Sequence, residues 1–107
     1  MVMPDINLLI YAYNSSAPNH SKAARWWTET VNSGRPVGVA WPVMQGVLRL
    51  LTSRTVVVEP YTSAQVFGIF ESWWAQANVR LLSPTRETYK ILRELCEGHS
   101  VAGPAAS

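Results

Sequence analysis

The sequence predicts an α/β domain with a short parallel sheet flanked by helices. Three observations carry this. Short apolar, β-branched stretches at 36–41 and 78–82 are separated by long segments with helical periodicity. That alternation is the pattern of parallel strands joined by helical crossovers. The composition, 48% hydrophobic against 15% charged over 107 residues, suffices for one core and does not match a disordered chain.

Residues 1–4 have room only for a short strand, which Pro4 limits. Asp5 or Asn7 can cap a short helix through NLLIYAY. NSSAPN at 14–19 is a loop by composition. HSKAARWWTETVNSG reads as a helix with Ala23, Trp27, Thr30 and Val31 on one face and Gly34 as its stop. PVGVAW is a short buried strand, and PVMQGVLRLLTS is an apolar helix opening at Pro42. RTVVVEP at 54–60 is β-branched and expected to be extended. Thr62 and Gln65 form a capping-box pattern ahead of a helix whose stripe is Val66, Ile69, Phe70, Trp73 and Trp74. After a strand at 78–82, Ser83-Pro84 is expected to cap TRETYKILRELCEG, with Gly98 as its stop. The tail from His99 is patternless.

The totals narrow the function classes. A net charge of +2 permits a nucleic-acid partner without demanding one. One cysteine, Cys96, forbids an internal disulfide and fits a reducing cytoplasm; its apolar-periodic setting reads as packing rather than nucleophilic chemistry. No apolar run reaches the length of a membrane span, so a cytoplasmic protein with no membrane partner is expected. No basic helix-turn-helix pattern supports DNA binding.

Asp5, the only aspartate in the chain, stands directly before an apolar run. Spacing alone makes it a helix N-cap. The other acids have ordinary places: Glu29 and Glu71 on polar helix faces, and Glu87, Glu94 and Glu97 in a charged pattern with Arg86, Lys90 and Arg93. Glu59, before Pro60, is a candidate to face a cleft. Arg49, between Leu48 and Leu50, can reach a phosphate, or can snorkel or pair with an acid. His20 reads as a helix-start residue rather than a base.

The ordered series Asp5-x-Asn7-x-Leu9-x-Tyr11-Ala12, PNHSKAARWW, PVGVAWPVMQGVLRLLTS and YTSAQVFGIFESWWAQANVRLLSP resembles a PIN domain, specifically the VapC-type toxins of bacterial toxin–antitoxin pairs. The resemblance covers roughly residues 1–103 and leaves 104–107 as a non-matching tail. It implies a three-layer PIN-like fold with the first strand central and Asp5 at its C-terminal end. It also implies an Mg²⁺-dependent (or Mn²⁺-dependent) endoribonuclease with Asp5 as catalytic and metal-binding carboxylate, supported by Asn7. A hard cation with oxygen ligands could orient a water for attack on phosphorus. The implied partners are a VapB-type antitoxin and a tRNA or rRNA substrate, and a homodimer is allowed.

Two departures shape the expectation. At one place where the family carries an acid, this sequence has Gly46 beside Gln45; related VapC sequences also tend to have a small residue there. After Gly103 nothing matches the family's next Asp-containing segment. The expectation is therefore an incomplete domain, lacking its C-terminal strand and helix, with weak nuclease activity. The alternative is a non-catalytic remnant that binds an antitoxin.

Overall fold

The computed structural model describes residues 1–97. Its elements are α1 (Ile6–Tyr13), α2 (His20–Asn32), β1 (Val37–Ala40), α3 (Trp41–Leu51), α4 (Ser63–Trp74), β2 (Val79–Leu82) and α5 (Arg86–Glu97). The α/β class is as the sequence predicts. Gly98, Gly103, the boundary at 103 and the tail 104–107 lie outside the described residues.

β1 and β2 pair in parallel, Val37 opposite Val79 through Ala40 opposite Leu82. Helices cover both faces of this sheet. Val37, Val39 and Val79 enter the main core with Leu9, Val47, Leu51, Val66, Phe70 and Trp73, while Leu82 packs with Met3 and Ile91 of α5 on the other side. Fully burying one such aliphatic side chain is worth about 1.5–3 kcal/mol, so the main core dominates the fold's stability.

The N-terminal segment forms isolated bridges rather than a continuous strand. Val2 makes a single parallel bridge to Val37, donating to the Pro36 carbonyl and accepting from the Gly38 N–H, both at 2.8 Å. Pro4 also stands in an isolated bridge, and the chain turns into α1 directly after Asp5.

The helices follow local signals. Thr62 and Gln65 form the reciprocal capping box, at 3.1 and 2.8 Å. Pro42 lies in the first turn of α3. α2 buries Ala23, Trp27 and Thr30, and Gly34 follows it with φ +77°, a left-handed conformation that favours glycine. Asn78 then closes this corner, its Nδ2 donating to the carbonyls of Val31 and Arg35.

Three expectations are corrected. Residues 54–60 form a turn and loop instead of an extended strand, with the N–H groups of Val56 and Val57 returning to the Ser53 carbonyl. Only Val57 enters the core and Val58 is 77% exposed; β-branching alone makes no strand where no neighbour offers a ladder. The first turn of α5 is closed by Thr85, whose Oγ1 accepts from the Thr88 N–H at 3.2 Å, rather than by Ser83. Cys96 is exposed, not packed.

Candidate active site

Asp5 sits where the extended N-terminal segment becomes α1. Its backbone is extended (φ −74°, ψ 147°), and its carboxylate accepts from the Asn7 backbone N–H at 3.1 Å. This satisfies one of the N–H groups that a helix start leaves unpaired, and it places negative charge at the positive end of the helix dipole. The carboxylate is only partly buried, so capping leaves it accessible.

The helix beneath Asp5 is held firmly. Leu9 is fully buried, and α3 crosses the first turn of α1 at Gly46. A Cβ on Gly46 would stand 2.2 Å from Ile6 Cδ1, so glycine is what permits this close approach. Gly46, where the resemblance sets an acid, thus serves as a packing contact beside Asp5, and Gln45 next to it is exposed.

The four sequence-predicted site residues do not converge. Asp5 and Asn7 are adjacent, and Asn7 serves Asp5 through its backbone while its side chain is exposed. Arg49 is exposed in the last turn of α3, where a cation complements the helix dipole, and it forms no ion pair among the described residues. Glu59 does face a cleft, a cavity of about 440 Å³ lined by Tyr13, Ser15, Ser16, Val58 and Tyr61 among others. That cleft lies at the far end of α1, about 12 Å along the helix axis from its start. Glu59 therefore does not join Asp5.

The remaining acids keep the places read from sequence. Glu29, Glu71, Glu87 and Glu94 are exposed, and Glu97 pairs with Arg93 at 2.9 Å. Among the described residues no group of three or more His, Cys, Asp or Glu side chains could hold a metal ion. Mg²⁺ demands near-octahedral oxygen coordination, and a single carboxylate with waters is a weak site. The described residues thus supply one ligand toward such an ion, not a complete set. His20 begins α2, and its Nδ1 donates to the Tyr11 carbonyl at 2.9 Å, since a carbonyl can only accept.

Sequence reasoning missed the polar hub at the other end of α1. The Tyr13 hydroxyl accepts from two indoles, Trp73 Nε1 at 2.8 Å and Trp27 Nε1 at 3.2 Å. The Tyr61 hydroxyl donates to the Tyr13 carbonyl. Burial, and secondarily Tyr13, push the Tyr61 phenol above its ordinary value of 10.0. The only available signal was a tyrosine ending an apolar helix, which named no partner.

No helix among the described residues is long and apolar enough to cross a membrane. No family model matches the chain. Individual relatives do. Ribonuclease VapC33 of Mycobacterium tuberculosis is 40% identical over 83 residues, 78% of this chain and 58% of the relative. Ribonucleases VapC25 and VapC31 of the same organism are 29% and 28% identical over 103 residues, each match covering 96% of this chain and 72% of the relative. The chain therefore spans between about three-fifths and three-quarters of the length of the relatives it matches. Matches of this extent, on an α/β fold consistent with part of a PIN domain, make the chain a homologue of the VapC ribonucleases.

Proposed function

We propose that this chain carries the Asp5 portion of a VapC-type, metal-dependent endoribonuclease, with Asp5 as its catalytic, metal-binding carboxylate. The observation that carries the reading is the placement of Asp5: a partly buried carboxylate, fixed by its cap at a strand-to-helix junction, in a homologue of ribonucleases. Mg²⁺, or Mn²⁺, is the ion this reading implies. The residues 1–97 do not complete its ligand set, so no hydrolytic step is derived through it. The same reading implies a tRNA or rRNA substrate, a VapB-type antitoxin as partner and a PIN-like unit running to about residue 103, as the resemblance has it. Asn7 supports the Asp5 carboxylate through its backbone N–H, and Arg49 is available to an RNA phosphate.

On this reading the 107-residue protein cleaves RNA much more slowly than a full-length VapC relative at equal Mg²⁺. The test is an RNA-cleavage time course with Asp5→Asn as control. Asparagine caps a helix start about as well as aspartate, so this variant removes the charge and keeps the fold. Loss of the residual cleavage in Asp5→Asn supports the proposal. Equal cleavage by parent and variant overturns Asp5 as the catalytic group. Robust cleavage by the parent, abolished in the variant, would show that the acids present suffice. If neither protein cleaves but the parent binds a VapB-type antitoxin, the non-catalytic reading replaces the nuclease one; the exposed, unclustered glutamates are what favour that alternative.

A further inference from the structure

The cleft around Glu59 has a chemistry of its own. Its walls are the loop after α1 and the loop between α3 and α4. Two contacts tie them together, Asn14 Nδ2 donating to the Val56 carbonyl at 3.5 Å and the Tyr61 hydroxyl donating to the Tyr13 carbonyl. The cleft is thus built into the fold, and its volume of about 440 Å³ lies within the range of ligand sites.

Its strongest unspent hydrogen-bonding group is an acceptor, the Glu59 carboxylate. The Tyr13 hydroxyl oxygen accepts from the two indoles, and the Tyr61 hydroxyl donates its proton to a carbonyl. Gln65 Oε1 is spent on the capping box. What remains is the Glu59 carboxylate and the hydroxyls of Ser15 and Ser16, all exposed, together with the N–H donors of Gln65 Nε2 and the O–H of Tyr13. Among the described residues Glu59 forms no ion pair and is the only charged side chain lining the cleft. A pocket with one negative charge, in a protein of net charge +2, repels a phosphate and selects a cation. With two tyrosine rings in its wall it suits a flat cation that can also stack.

We infer that this cleft is a docking site for an arginine side chain presented by a protein partner. A guanidinium offers five N–H donors and no acceptor, which complements a carboxylate and two serine hydroxyls. The inference does not depend on whether the protein cleaves RNA.

The test uses the 107-residue protein and three probes: an acetylated, amidated Gly-Arg-Gly-Arg-Gly peptide, its lysine counterpart, and spermidine. Backbone amide shifts are followed by NMR at low salt. The expected result is that the arginine peptide moves the amides of Ser15, Ser16, Val58 and Glu59. Glu59→Gln should weaken its binding about tenfold, as loss of a charge-assisted hydrogen bond implies. Glu71→Gln, an exposed glutamate away from the cleft, should leave it unchanged. Glu59 makes no hydrogen bond among the described residues, so its variant is expected to fold. Shifts scattered over other glutamates, or equal affinity in Glu59→Gln, would overturn the site. Equal binding of the lysine peptide or of spermidine would overturn the assignment to arginine.

Discussion

Replacing Tyr13 by phenylalanine tests the hub that ties α1 to α2 and α4. The change removes one oxygen and leaves ring volume almost intact, so any loss comes from hydrogen bonding. Two indole N–H groups lose their acceptor, one of them on Trp73, which is 2% exposed. An unpaired buried donor costs about 1–3 kcal/mol, so two could cost about 4 kcal/mol together. A cavity of about 180 Å³ adjoins the hub, lined by Tyr13, Trp27, Ser72, Trp73 and Gln76 among others. A water claims about 30 Å³ of liquid and needs polar partners, both of which this cavity offers. One of the two indoles can therefore be satisfied by water, and the expected net loss is about 2 kcal/mol. The assay is urea unfolding followed by tryptophan fluorescence. With a slope of about 1 kcal/mol/M for a small domain, the midpoint should fall by about 2 M at unchanged slope. In a Trp73→Phe background the further cost of Tyr13→Phe should roughly halve, because one donor is already gone. A midpoint within experimental error of the parent would show that the indoles do not depend on this hydroxyl.

Three further outcomes follow from local geometry. Gly46→Ala should destabilise by about 1 kcal/mol despite alanine's better helix propensity, because its Cβ meets Ile6 Cδ1; in an Ile6→Val background, which lacks that atom, the same change should become neutral or stabilising by urea midpoint. Asp5→Ala should cost about 1 kcal/mol by the same measurement while Asp5→Asn costs little, since only alanine removes the cap. Tyr61 titrates above its ordinary 10.0 in the folded protein, so the folded state holds that proton more tightly than the unfolded one. Its contribution is complete below pH 10.0 and is lost as pH rises from there through the folded value; stability measured across that window should fall less steeply in Tyr61→Phe.

What could be read from sequence was what short segments decide by themselves. The capping box at Thr62 and Gln65, the buried face of Ala23, Trp27 and Thr30, and the turn at Gly34 each depend on residues within a few positions. Asp5 belongs with them, because a cap needs only the next two residues. Features that needed distant partners were not legible. The β-branched run at 54–60 looked like a strand because propensity is local, while a strand also needs a neighbour. The Tyr13 hub joins positions 13, 27, 61 and 73, and no periodicity links them. In the sequence Glu59 was only one candidate for a cleft among acids with ordinary places, and only the fold puts the cleft it lines and Asp5 at opposite ends of one helix.

That separation bears on how the proposed metal site could be completed. Asp5 is fixed by its cap, by the Ile6–Gly46 contact and by Leu9 anchored in the core, so its carboxylate cannot travel to another acid without unmaking α1. Nor can Glu59 reach it across the length of that helix. The other five glutamates are exposed, on α2, α4 and α5, and no cluster forms among the described residues. A catalytic ion at Asp5 therefore requires carboxylates brought to Asp5 from outside residues 1–97. A second copy of the same described residues offers again one aspartate and solvent-facing glutamates. Thermal stabilisation by Mn²⁺ can separate these cases, because binding to the native state alone raises its stability. If Asp5 acts as a lone ligand, the 107-residue protein shows a small shift that Asp5→Asn removes. A shift of equal size in Asp5→Asn would place the ion elsewhere, and with it the chemistry.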